Sequence, residues 1–329
     1  MHRKVLWLSF ACLCLGARPG WSGSLDLAVN NVGLSLGNSK HFTGLRINFT
    51  DERVENVTGV NLTLWKPGNN PRAEIHGLQL GLVGIDARDL TGVMLTGVGL
   101  GAEHVSGVAV GLVGLGVETG VTGIGIGGVG MGGGELKGIM LGGIGMGAGD
   151  ITGLAVGGLG VAGDDMEGLF AGGLGVGGDN MTGVVAGGLG VGGDNITGIA
   201  AGGLGIGGDD MTGLFLGGLG VGGDDMRGLF FGGLGVGGDA MTGLAIGGLG
   251  VGADEVRGAA IGGLVSRFHH AEGLVAAAHN KVFDEMAGVQ IGLYNFTRFL
   301  NGVQIGVINY AGNNPRLLRV LPLVNVHLK

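Results

Sequence analysis

Seven consecutive copies of a fifteen-residue unit, each close to G-L-x-x-G-G-L-G-V-G-G-D-D-M-T, run without a gap from Gly153 to Arg257. A chain that repeats itself this regularly must give every copy the same environment, so its fold is an array of equivalent elements rather than a single closed core. With the leading glycine as position 1, repeats start at Gly44, Gly59, Gly77, Gly92, Gly107 and Gly123, then every fifteen residues to Gly288, with a last start at Gly302. That makes eighteen repeats. The period slips before Gly77, where Lys66, Pro67, Gly68, Asn69, Asn70 and Pro71 lengthen a turn, and by one residue before Gly123 and Gly302. Insertions of this kind belong in loops, where added length costs little.

About six glycines per repeat, each worth roughly 1 kcal/mol against alanine in a helix, rule out a helical array. Strand is the remaining regular conformation. A one-strand-per-repeat barrel would alternate its loop chemistry from one repeat to the next, and this chain does not alternate. Fifteen residues are too few for a strand and a helical crossover. The expectation is therefore an all-β fold, a parallel β-solenoid of about eighteen coils, with a glycine-rich β-hairpin meander as the alternative. One coil cannot offset its own backbone entropy with about five apolar side chains, so each coil needs its neighbours.

Alternation along a strand assigns positions 2 and 4 to the inward face, with 7, 9 and 14 also inward, and bends at the glycine pair 5–6 and at Gly-Gly-Asp-Asp. Position 3 then points out. In the outer repeats it carries Arg46, Asn61, Gln79, Gln290 and Gln304, as a solvated face would. In the middle it carries Phe170, Val185, Phe215 and Phe230, and these residues form the expected interaction face.

The 329 residues hold 83 glycines but only 5 prolines, which excludes a collagen pattern, and the 45% hydrophobic content excludes a flexible linker. A net charge of −8 provides no basic surface for nucleic acid. His2, Arg3 and Lys4, followed by an apolar run and small residues, read as a secretory signal over 1–23. Both cysteines, Cys12 and Cys14, fall inside it, so the mature chain is expected to carry no thiol or disulfide. Irregular repeats and a cap are expected over 24–76, the regular solenoid over 77–257, and degenerate repeats with a C-terminal cap over 258–329. The closing segment alternates like an edge strand interrupted by Pro322. No later stretch of about 18 apolar residues indicates a transmembrane helix.

No arrangement of serine or histidine suggests a nucleophile with its base, and no enzyme activity, cofactor or nucleotide site is expected. An acidic ladder recurs at position 12, Asp164, Asp179, Asp194, Asp209, Asp224, Asp239 and Asp254. Calcium is its candidate ligand, although the calcium-binding β-roll repeat has an aspartate where this chain has Gly177 or Gly222. Turn formation explains the same aspartates without a metal. A threonine file at position 15, including Thr182, Thr197, Thr212 and Thr242, raises ice binding as a further alternative, though Glu167, Arg227 and Arg257 interrupt it. His269, His270, Glu272 and His279 match no zinc spacing. Glycosylation sequons at Asn48, Asn56, Asn61, Asn195 and Asn295 bear on the chain only in a eukaryotic secretory pathway.

The repeats beginning at Gly77, Gly288 and Gly302, such as Gly288-Val289-Gln290-Ile291-Gly292-Leu293-Tyr294-Asn295, resemble the G-φ-Q-φ-G-φ-φ-N repeats of a bacterial surface-repeat family met in leptospires and other Gram-negative lineages. The central repeats depart from that pattern, with apolar residues for Gln and Gly for Asn. The resemblance implies an exported or envelope location and no catalytic residues. Together these readings describe a non-catalytic exported or surface protein presenting an extended face. Its expected partner is a protein or a second copy, with a membrane surface or a pore-like assembly as the alternative.

Overall fold

The computed structural model describes residues 23–328, so the signal segment, with Cys12 and Cys14, lies outside the described residues apart from Gly23. The fold is an all-β parallel solenoid of about 17 turns at roughly fifteen-residue spacing. Its contacts divide it into two units, one through Gly127 and one from Gly128 on.

The first unit opens with a hairpin in which Ser24–Val29 pairs antiparallel with Val32–Gly37. Its turn residues Asn30 and Asn31 both have positive φ, at 52° and 61°, the twist a two-residue hairpin turn needs. Val32–Gly37 then pairs in parallel with His41–Asn48, and that strand with Asn56–Thr63. Glu74–Gly81, Gly84–Thr96, Gly99–Gly111 and Gly114–Gly127 add further parallel coils. In the second unit, thirteen-residue strands run from Gly130–Gly142 to Gly250–Gly262, each paired in register with the equivalent residues one repeat away. Val265–Ala276 and the long strand His279–Ala311 continue the parallel stack, and Val320–His327 returns antiparallel against Gly302 to Tyr310.

All eighteen glycines that start the repeats have positive φ, so the sequence period coincides with a backbone conformation that L side chains rarely adopt. At Gly213 φ is +137°, and an added Cβ would run into the Gly198 carbonyl oxygen of the preceding coil. The bend falls at positions 6 and 7, as at Gly188 and Leu189. The ladder also skips position 12: Gly163 pairs with Gly178 and Asp165 with Asn180, leaving Asp164 and Asp179 at an unpaired corner.

The two faces are inverted relative to the expectation from alternation. Positions 9 and 14 are inward, as Val221 and Met226 show, but so is position 3, while 2, 4 and 7 point outward. Phe170, Val185, Phe215 and Phe230 are core residues, not an interaction face; Phe215 is 0% exposed and stacks on Phe230 with ring centroids 5.3 Å apart. The physical reason is that the segment from position 13 to position 5 is one uninterrupted strand, so residue 14 fixes 1, 3 and 5 on its own side. Burying 2 and 4 would have required a break at the positive-φ glycine, and there is none.

The same inversion corrects the outer repeats. Arg46, Asn61, Gln79, Gln290 and Gln304 are buried rather than solvated. In the second unit Asn280 Nδ2 donates to Asn295 Oδ1 at 2.8 Å, Asn295 Nδ2 to Asn309 Oδ1 at 2.7 Å, and Gln304 Nε2 to Gln290 Oε1 at 2.8 Å. Identical amides one coil apart satisfy each other, which is how a polar residue is tolerated inside a solenoid.

Candidate interaction face

Outward positions 2, 4 and 7 carry only apolar residues in the nine repeats from Gly138 to Gly258. Leucine dominates position 7: Leu159, Leu174, Leu189, Leu204, Leu219, Leu234, Leu249 and Leu264 are each about half exposed, Leu189 at 48%. The ridge is rigid because its backbone is tied coil to coil, Leu189 N–H donating to the Leu174 carbonyl at 2.6 Å and Leu204 to Leu189 at 2.6 Å. Beside it, positions 2 and 4 form two further exposed apolar files, among them Leu169, Val184, Ile199, Leu216 and Leu229. Between Val156 and Leu216 position 4 shrinks to Ala171, Ala186 and Ala201, and with the adjoining glycine pairs these leave a shallow depression of about 660 Å³. A contiguous apolar surface of this extent is more than most monomers leave to water.

Alternation found such a file in the sequence but placed it at position 3. The signal that identifies the true face is the continuity of the strand across the leading glycine. Position 7 was missed because the bend there was expected to turn its leucine inward.

The acidic ladder Asp164, Asp179, Asp194, Asp209, Asp224, Asp239 and Asp254 lies exposed along the corner where the strand ladder is interrupted. Next to it Asn180 Nδ2 donates to Asp165 Oδ1 at 2.6 Å, and Asn195 Nδ2 to Asn180 Oδ1 at 2.7 Å. The threonine file of position 15 is exposed as well. His269, His270, Glu272 and His279 are spread over the surface; His269 Nδ1 lies 2.9 Å from Asp254 Oδ1, and His270 Nε2 4.0 Å from Asp284 Oδ2. Among the described residues no group of three or more histidine or acidic side chains is placed to hold a metal ion. Likewise, no helix among them is long and apolar enough to cross a membrane. Of the sequons, Asn48, Asn61 and Asn295 are buried and closed to a glycan, while Asn56 and Asn195 are exposed.

In the first unit, burial pushes the Asp86 carboxyl above its ordinary value of 3.8, and the Glu118 charge adds to the effect. The Asn70 N–H, donating to Asp86 Oδ2 at 3.2 Å, opposes it. A raised folded-state value means that ionising Asp86 weakens the fold as pH rises from about 3.8 through that value. Asp86→Asn keeps an acceptor for Asn70 and cannot ionise. It is expected to unfold at a higher temperature than the parent at pH 7, the difference closing below pH 3.8, in melts compared across pH.

No family model, no curated protein and no solved structure matches this chain.

Proposed function

We propose that this chain is a non-catalytic, exported or surface-located repeat protein whose solenoid presents an extended apolar face for binding or self-assembly. One observation carries the reading: the uncharged, half-exposed files at positions 2, 4 and 7, held on a rigid strand scaffold. The binding surface is therefore made by these files, and not by the buried Phe170, Val185, Phe215 and Phe230. The export signal read over 1–23 and the resemblance to envelope repeat proteins support placing it outside the cytoplasm.

Cell fractionation with protease shaving tests the proposal on two chains, the wild type and a variant carrying Leu174→Lys, Leu189→Lys and Leu204→Lys. The wild type is expected to be exported, accessible to protease and recovered in a sedimenting assembly or envelope fraction. The triple variant, with unchanged β circular dichroism, is expected to be exported yet recovered as free protein. Cytoplasmic retention of the wild type, or identical partitioning of both chains, would overturn the reading.

A further inference from the structure

We infer that the occupant of the apolar face is a second copy of this chain, packed antiparallel about a two-fold axis lying between the coils of Ala201 and Leu216. The inference rests on the reading of this face as a binding face and adds the identity and orientation of the partner. It involves only the second unit.

Size is the first argument. Along position 4 the side chains are small on one side of that point and large on the other. Reversing the file about it sets Leu216 opposite Ala201, Phe231 opposite Ala186, Ile246 opposite Ala171 and Ile261 opposite Val156. Each bulky residue of one copy thus meets the depression of the other, and a two-fold axis makes every such contact twice. Two copies share one coil spacing, so the match persists along the stack without drifting out of register.

Charge is the second argument, and it is independent of the first. An axis in the plane of the face reverses the coils but keeps each repeat position against itself, so position 13 faces 13 and position 15 faces 15. The same reversal sets Asn195 opposite Asp210, Asn180 opposite Asp225, and Asp165 opposite Ala240. The asparagines that interrupt the acidic file therefore stand where a partner aspartate needs a donor. At position 15 the reversal sets Arg227 opposite Thr182, Arg257 opposite Thr152 and Glu167 opposite Thr242, with no like-charged pair; one coil beyond this stretch at either end, Lys137 faces Glu272 and Glu135 faces His270. Asp150 and Glu255 form a like-charged pair, with Arg257 beside Glu255 and exposed with it at the rim. A parallel pairing, about an axis along the stack, would instead set each coil against its own copy, small position-4 residues level with small and large with large, and would lose the size match.

Area is sufficient. Eight coils by the six residue steps from position 13 to position 4 make a footprint of roughly 34 Å by 20 Å. Its corrugated surface is on the scale of the roughly 800 Å² that each partner gives a standard interface. A fluid lipid surface would place no demand on the order of large and small residues at position 4, and it would gain nothing from the matched asparagines.

Sedimentation velocity of the full chain at micromolar concentration, with Cys12→Ser and Cys14→Ser, is expected to show a dimer. Ala186→Arg, an exposed substitution, is expected to weaken that dimer about 100-fold while leaving the circular dichroism unchanged. A mixture of Ala186→Cys chains with Phe231→Cys chains is expected to give a disulfide-linked heterodimer on mild oxidation, and neither variant alone a linked homodimer. A monomeric wild type would overturn the inference, and so would linkage of Ala186→Cys to itself, which reports a pairing other than this antiparallel register. A wild type that is monomeric but floats with neutral phosphatidylcholine vesicles would overturn the second copy as occupant and leave the face itself standing as a binding surface.

Discussion

Gly213→Val is expected to collapse the local stacking of the central coils, with a destabilisation of about 4 kcal/mol or more, whereas Gly192→Ala is expected to be neutral or slightly stabilising. Both are glycines of the same repeat array, so the contrast isolates what glycine does at each. Gly213 has φ +137°, and its missing Cβ makes room for the Gly198 carbonyl of the coil below. A side chain there adds backbone strain of about 1–3 kcal/mol to a clash with main chain that cannot rotate away. Gly192, at position 10, has nothing within 4 Å of an added Cβ and an ordinary φ. Alanine at that site restricts the unfolded chain and gains up to about 0.5 kcal/mol. One repeat already tolerates it, since Ala162 occupies position 10 in its own coil. Thermal unfolding checks the order of the two variants. Hydrogen exchange at the amides of Gly205–Gly217 shows whether the loss at Gly213 is local, as nearest-neighbour stacking requires.

The contrast also marks how far the sequence can be read. The recurring glycine that starts each repeat was legible as a period, and every one of them proves to be a positive-φ residue. The strand class and the parallel stacking followed from that period and from the absence of alternating loop chemistry. Which face was inside did not follow, because positions 2, 3 and 4 are all apolar in the centre, as in Leu229, Phe230 and Phe231. A period of two then fits either face equally well, and only the continuity of the strand through the leading glycine decides between them. The outer repeats misled for a different reason. Gln290 and Gln304 are polar, and polarity predicts exposure in a globular core, but in a solenoid identical amides one coil apart can hydrogen-bond to each other. The depression at Ala171, Ala186 and Ala201 was visible in the sequence as a run of small residues. It acquired meaning only once position 4 was known to be outward.

Arg46→Met is expected to destabilise the first unit by about 3–5 kcal/mol, and Asp51→Asn added to it is expected to recover most of that loss. Arg46 is fully buried, and its guanidinium donates to Asp51, to Asn61 Oδ1 at 2.9 Å and to Asn38 Oδ1 at 2.8 Å. Asp51 also accepts from Asn48 Nδ2 at 2.6 Å and from Thr63 Oγ1 at 2.5 Å. Removing the guanidinium leaves a carboxylate in the interior with neutral donors and no countercharge. Neutralising both groups removes that uncompensated charge. Thermal melts of the two single variants and the double variant measure the coupling, and hydrogen exchange at His41–Asn48 and Asn56–Thr63 locates it. If the double variant is no more stable than Arg46→Met alone, the guanidinium acts through its packing and not through its charge. The larger consequence concerns register. Coils as alike as those starting at Gly183 and Gly198 offer nearly the same contacts when displaced by one repeat, so their own packing barely specifies where stacking begins. Among the described residues, no other coil repeats the buried ion pair of Arg46 and Asp51. The double variant is therefore expected to regain stability while showing more heterogeneous amide protection across its first coils, because it keeps the stacking and loses the contact that marks its start.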